Sequence, residues 1–247
     1  MPHRHSSTPR RRSAFAARLT KSTADGDAPR VLDDLRGSIL SGAEPPGTLI
    51  PIDEVARFFG VSQIPVREAL KVLAGEGMVE HVPNVGYSVA KLRFSEFREL
   101  YDVRRALEVA ALRLAVEWAG PNDDAAVDRA NDEMDRAMVA GDERAYHAAS
   151  REFHLALIRS SQMVRLVHMY ESAWNITEPA RPMARVPEPG RTVFFEDHRR
   201  MAEAFHDRDA ARLVAECDEH YAHLSAGLAA FAEDPDAFEP EHRADIG

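Results

Sequence analysis

From residue 31 onward, apolar side chains recur at helical spacing. Val31, Leu35 and Ile39 share one face, and the run ends at Gly42, ahead of Pro45-Pro46-Gly47. Ile52, Val55, Ala56 and Phe59 repeat the pattern as far as Gly60, and after a three-residue turn Val66, Ala69, Leu70 and Leu73 repeat it again as far as Gly77. Met78 to Val82 and Tyr87 to Ala90 then read as two short strands around the turn Pro83-Asn84-Val85-Gly86. Three helices, the last two joined by a tight turn, followed by a hairpin predict a winged helix-turn-helix. Beyond Ser95 no strand pattern appears. About six helices are expected, roughly 95–119, 122–140, 142–161, 163–177, 192–207 and 209–232, with breaks at Gly120-Pro121, at Gly141 and in the proline-rich loop 179–190. The predicted fold class is therefore mainly α, an N-terminal winged helix-turn-helix with a small β-hairpin followed by an all-α helical bundle. The expected boundaries are 1–28 for a disordered basic arm, 29–92 for the DNA-binding domain, 93–232 for the helical domain and 233–247 for a mobile acidic tail.

Composition sharpens this division. The net charge of −10 argues against nucleic acid, but the charge is unevenly spread. Up to residue 92 there are 12 Lys or Arg against 10 Asp or Glu, leaving 19 against 31 for the rest, and the lysines are Lys21, Lys71 and Lys91. This asymmetry predicts a nucleic-acid-facing N-terminal module joined to an acidic module with another task. The single cysteine, Cys217, excludes an internal disulfide and a cysteine-built zinc cluster, so any metal site must rest on His and carboxylates. No run approaches the roughly 20 apolar residues of a membrane span and no secretory signal is evident, so a cytoplasmic protein is expected.

Val61-Ser62-Gln63-Ile64-Pro65-Val66-Arg67-Glu68-Ala69-Leu70, with Leu73, Glu76-Gly77 and the following hairpin, closely resembles the DNA-binding domain of GntR-family transcription regulators. The helical remainder resembles the effector-binding domain of the FadR subfamily. The resemblance implies a dimeric regulator, more often a repressor, that reads palindromic double-stranded DNA and answers to a small effector. The candidate DNA-facing residues are Ser62, Gln63, Ile64, Pro65, Arg67 and Lys71 on the third helix, with Asn84 and Gly86 on the hairpin. Ser62 is expected to cap the helix and Pro65 to suit its first turn. Arg67 matches guanine O6 and N7, and Gln63 matches adenine. Gly86 would let the wing backbone approach the adjacent groove. Three features depart from the family pattern: Gln63-Ile64 where Arg-Thr is common, Asp53 where an arginine often contacts a base, and Pro51 where a serine usually opens the second helix.

In the helical domain, His154 lies on a stripe with His147, Ser150 and Leu157, His198 with Phe194, Met201 and Phe205, and His220 with Leu213, Cys217 and Leu224. Any one such histidine is more often a satisfied core residue. Three converging from three helices favour a zinc-like or nickel-like divalent ion. The resemblance assigns His154, His198 and His220 to metal-ligand positions and puts Ser150 where the family carries an Asp ligand. His147 and His223 are candidate neighbours. The resemblance also implies that Arg104, in the context Tyr101-x-x-Arg104-x-x-Leu107-Glu108, binds an effector carboxylate. The alternative for Arg104 is a salt bridge to Glu108. Trp174 and Asn175 are further candidates for the effector pocket. Two rival functions remain: a metal-dependent hydrolase, disfavoured because no carboxylate lies on the histidine-bearing faces, and a helical domain that only dimerises.

Overall fold

In a computed structural model, residues 13–19, 31–42, 44–186 and 188–241 are described. The chain divides into two compact units, Met1–Ala90 and Lys91–Gly247.

In the first unit, α2 (Val31–Leu40), α3 (Ile52–Phe59) and α4 (Gln63–Gly75) enclose a core in which Leu35, Ile39, Val55, Val66, Leu70 and Leu73 are fully buried. These are the i, i+3, i+4 positions of the sequence pattern, so burial of one stripe per helix explains the arrangement. Gly60, with φ +74°, ends α3 and makes the tight turn into α4. Strands β2 (Val79–Val82) and β3 (Gly86–Val89) form the expected hairpin, and Asn84 takes φ +63° in its turn. A third strand, β1 (Leu49–Ile50), was not expected; it pairs antiparallel with β3, giving the order β1-β3-β2. Two residues are too few to show an alternating pattern.

The arm expected to be disordered over 1–28 needs correction. Ala14–Arg18 is a short helix, α1, with Ser13 as its N-cap (Ala16 N to Ser13 Oγ 3.2 Å). Phe15 and Leu19 are buried in the core of the first unit, and the Ser13 hydroxyl donates to Glu54 Oε2 at 2.7 Å. Arg4, Arg10, Arg11, Arg12 and Lys21 lie outside the described residues. Ser13→Ala is expected to cost about 1 kcal/mol, the usual worth of a cap, and to lower the urea midpoint accordingly.

The second unit is built of α5 (Phe94–Trp118), α6 (Pro121–Ala140), α7 (Glu143–Arg159), α8 (Val164–Thr177), α9 (Pro182–Arg185), α10 (Glu188–His206) and α11 (Ala210–Ala229). The loop expected at 179–190 contains a 3-10 turn at Glu178–Ala180 and the four-residue α9. α10 also starts earlier than expected, because Pro189 falls in its first turn, where no backbone donor is needed. Asp142 caps α7 and Asp209 caps α11 through Ala145 N and Arg212 N, each at 2.9 Å. Phe97, Leu112, Met134, Tyr146, Phe153 and Phe205 are among the fully buried core.

The tail expected to be mobile from residue 233 is also corrected. Phe238 is buried against Phe94, Phe97 and Phe231, Glu239 N donates to Leu92 O at 2.9 Å, and the Glu241 carboxylate accepts from Ser95 N at 2.7 Å. Residues 242–247 lie outside the described residues. The acidic composition of the segment hid one aromatic anchor, enough to hold it on the bundle.

Candidate functional site

The reading head of the first unit is assembled at the start of α4. Gln63, Ile64, Pro65 and Arg67 are all exposed there, whereas Val66, between them, points into the core. Ser62 occupies the N-cap position and is exposed, but makes no side-chain capping bond, contrary to expectation. Gln63 donates to Asp53 of α3 and accepts from Arg67 Nη2 at 3.2 Å. Lys71, one turn beyond Arg67, pairs with Glu68 at 2.9 Å, an exposed contact of little energetic weight. At the wing, Asn84 and Val85 are exposed, and Gly86 has φ +132° with open space around it. This is backbone that only glycine adopts readily.

The second unit brings the three histidines together. His154 comes from α7, His198 from α10 and His220 from α11. All three are buried, and one ring nitrogen from each lies within 4.8 Å of the others. His154 Nε2 and His198 Nε2 are 3.1 Å apart. Tetrahedral zinc with N ligands at 2.0–2.1 Å holds them about 3.3 Å apart, so these residues fit a divalent ion of that kind. Ser150, one turn before His154, places its Oγ 3.5 Å from His198 Nε2. Ser150→Asp is accordingly expected to raise affinity for a divalent ion about tenfold, by adding a charged oxygen ligand, measured by competition with a chelating dye.

Behind the rings stand two carboxylates that the sequence reading missed. Glu108 of α5 is fully buried, its Oε1 2.6 Å from His154 Nδ1, its Oε2 accepting from Tyr170 at 2.9 Å and Tyr221 at 2.7 Å. Asp197 of α10, also buried, has Oδ2 3.2 Å from His220 Nδ1 and 3.0 Å from His223 Nδ1, and its Oδ1 accepts from Arg200 at 2.6 Å. Such partners hold the His154 and His220 rings with Nδ1 toward a carboxylate and Nε2 toward the cluster, the usual support for a metal-binding histidine, whereas the buried His198 Nδ1 has no hydrogen-bond partner. Burial pushes the Glu108 pKa up, but His154 and the two tyrosine hydroxyls outweigh it and hold the carboxyl below its ordinary value. Burial acts likewise on Asp197, and the bonds from His220 and His223 bring the net shift downward. Burial lowers His198 well below the ordinary imidazole range, and lowers His220 to about 4 despite its bond to Asp197. Both imidazoles are therefore neutral at pH 7, as a ligand requires. No signal along the sequence points to Asp197, whereas Glu108 was visible only as a possible partner of Arg104.

Arg104 does not form that salt bridge. Its guanidinium lies 3.4 Å from the Trp174 ring centre and 4.6 Å from that of Tyr101, and its buried Nε has no hydrogen-bond partner. Tyr101, Arg104, Trp174 and the three histidines border a cavity of about 10 Å³, the space of one water. His147 also lines it and contacts Glu178 at 2.8 Å. Asn175 does not reach this cavity. The 100° step of a helix turns it away from Trp174, and it accepts from Arg151 at 2.6 Å instead. Contrary to the expectation that no carboxylate accompanies the histidines, Glu108 and Asp197 stand near the triad, each occupied behind a ring.

Comparison with known proteins places both units. Residues 28–89 match the model of the bacterial regulatory proteins of the gntR family, and residues 99–223 match that of the FCD domain. The chain is 33% identical over 162 residues, 66% of its length and 68% of the other's, to a probable D-xylose utilization operon transcriptional repressor of Paenarthrobacter nicotinovorans. It is 42% identical over 79 residues, 32% of each chain, to the gluconate operon transcriptional repressor of Bacillus subtilis. The solved structure of Escherichia coli McbR/YncC superimposes with a TM-score of 0.73 at 26% identity, covering 81% of this chain and 96% of that one. With a matching family model on each unit and a like-built relative across most of the fold, the chain belongs to the GntR family, a DNA-binding transcription regulator with an FCD effector-binding domain and not an enzyme.

Proposed function

We propose that this regulator is a FadR-subfamily repressor that works in the cytoplasm as a two-fold homodimer on a palindromic operator. A small, carboxylate-bearing effector binds in its FCD domain, beside a zinc-like or nickel-like ion held by His154, His198 and His220. The observation that carries this reading is the meeting of the three buried histidines with Arg104 at one cavity. A guanidinium stacked on Trp174 with an unpartnered Nε is a ready donor for a carboxylate. The names of the D-xylose and gluconate relatives support repression. Among the described residues no helix is long and apolar enough to cross a membrane.

The cavity accepts no organic molecule as it stands, so effector entry must displace side chains such as Trp174 and Tyr101 that pack on α5 and α8. That displacement gives the effector a differential affinity for two packings of the bundle, which is what coupling to operator affinity requires. In this scheme Gln63, Arg67 and the wing at Asn84 and Gly86 meet the DNA, Lys71 adds charge, and Glu108 and Asp197 hold His154 and His220 in position.

The test combines metal analysis of the purified full chain with thermal shifts in a panel of small hydroxy- and dicarboxylates, for wild type and Arg104→Met. A bound divalent ion in both proteins, with a carboxylate-induced rise in Tm in the wild type alone, is the expected result. Ligand at 100 times its Kd stabilises by about 2.7 kcal/mol, a shift that is easily read. Metal-free protein with no shift from any carboxylate would leave the FCD domain as a dimerising module.

A further inference from the structure

Asp53 lies exposed in the first turn of α3 and accepts a hydrogen bond from the side-chain amide of Gln63, the first residue of α4. Gln63 Oε1 in turn accepts from Arg67 Nη2 at 3.2 Å, one turn further along α4. Carboxylate, amide and guanidinium thus form one chain of hydrogen bonds across the helix-turn-helix. An acid beside DNA repels phosphate, so by electrostatics alone Asp53 only weakens binding. Its contact with Gln63 gives it a different part to play.

A lone glutamine amide can offer its oxygen and nitrogen to a base in either order, because the group rotates freely. Here the amide cannot turn over without losing both bonds, since Nε2 would face Arg67 and Oε1 would face Asp53. Arg67 therefore has one N–H drawn to Gln63, which narrows the orientations open to its other donors. A guanidinium held in this way presents its fork to guanine O6 and N7 with less ordering on binding than a free one.

The geometry points to Asp53 as a specificity-positioning residue: acting through Gln63, its carboxylate aims Arg67 at guanine and so sets the base preference of the reading helix. It contributes discrimination between sequences while its charge opposes binding to all of them.

The experiment uses the full chain as wild type, Asp53→Asn and Asp53→Ala. Sites are selected from randomised duplexes at about 150 mM salt, where phosphate contacts alone bind weakly, and the guanine preference is then measured by competition with single-base variants. All three side chains are exposed, so the folds should be unchanged, which circular dichroism checks. The asparagine oxygen still accepts from Gln63, so Asp53→Asn should keep the guanine preference and bind every duplex more tightly. Asp53→Ala should bind duplexes without the guanine more tightly but lose about tenfold of the preference, the scale of one bidentate base contact. A wild-type contrast retained in Asp53→Ala would overturn the proposal, as would an equal loss in both variants, which would make the charge and not the hydrogen bond responsible. A wild-type chain with no base preference would overturn sequence readout through α4 altogether, and this proposal with it.

Discussion

His154→Ala is expected to lower the affinity of the FCD domain for a divalent ion by more than about 100-fold. Changes to residues that merely support a metal ligand cost roughly 10–100-fold, and His154 is itself a candidate ligand, central to the cluster at 3.1 Å from His198. The same change removes the ring partner of Glu108, a carboxylate with no exposed surface. Breaking a buried pair costs about 3–5 kcal/mol when the remaining charge is abandoned. Tyr170 and Tyr221 still donate to Glu108, so the lower end applies. The two effects separate experimentally: dye competition reads affinity, and urea unfolding in excess chelator reads the metal-independent stability. If His154→Ala binds the ion as the wild type does, the three-histidine site is wrong, whatever happens to stability.

Acidity offers a second handle on the same cluster. His220 has a folded pKa of about 4 against an ordinary 6.5, so below 6.5 the unfolded chain binds a proton that the folded chain refuses. Stability of the metal-free protein from this group is therefore complete above pH 6.5 and falls as the pH drops towards 4, by up to about 3 kcal/mol. Glu108 and Asp197, both held below their ordinary values, push in the same direction at lower pH.

Arg67→Ala is expected to weaken binding to the cognate operator by about 1–3 kcal/mol, roughly 5- to 150-fold, with little change in stability, because Arg67 is exposed and Val66 and Leu70 carry the packing of α4. Salt dependence tells what the arginine touches. If it reads a base, the loss is confined to the cognate sequence and the slope of affinity against salt hardly changes. If it holds a phosphate, all sequences weaken together and the slope falls by about one charge. Uniform weakening would remove Arg67 from the specificity determinants and leave discrimination to the wing and to Ile64, which is 70% exposed.

The helices were legible because burial of one stripe per helix imprints a period of 3.6 on the sequence, as at Val31-Leu35-Ile39 or Val66-Leu70-Leu73. The hairpin was legible from its turn residues. Short or singly anchored pieces were not: β1 has two residues, α1 is held through Phe15 and Leu19, and the C-terminal segment through Phe238, each inside a stretch whose composition reads as solvated. Trp174 and Asn175 show the limit of adjacency. Neighbours in sequence face different ways on a helix, and only one of them lines the cavity.

By itself, the sequence determined the family, the two-part organisation, and the faces on which His154, His198 and His220 lie, because residue type and periodicity are local properties of the chain. Only the tertiary structure decided what stands behind those faces. Glu108 meets His154 across 46 residues, Asp197 meets His220 across 23, and Arg104 turns from Glu108 to the face of Trp174. Contacts between distant segments depend on how whole helices pack, and a buried ionisable group takes whichever partner that packing supplies.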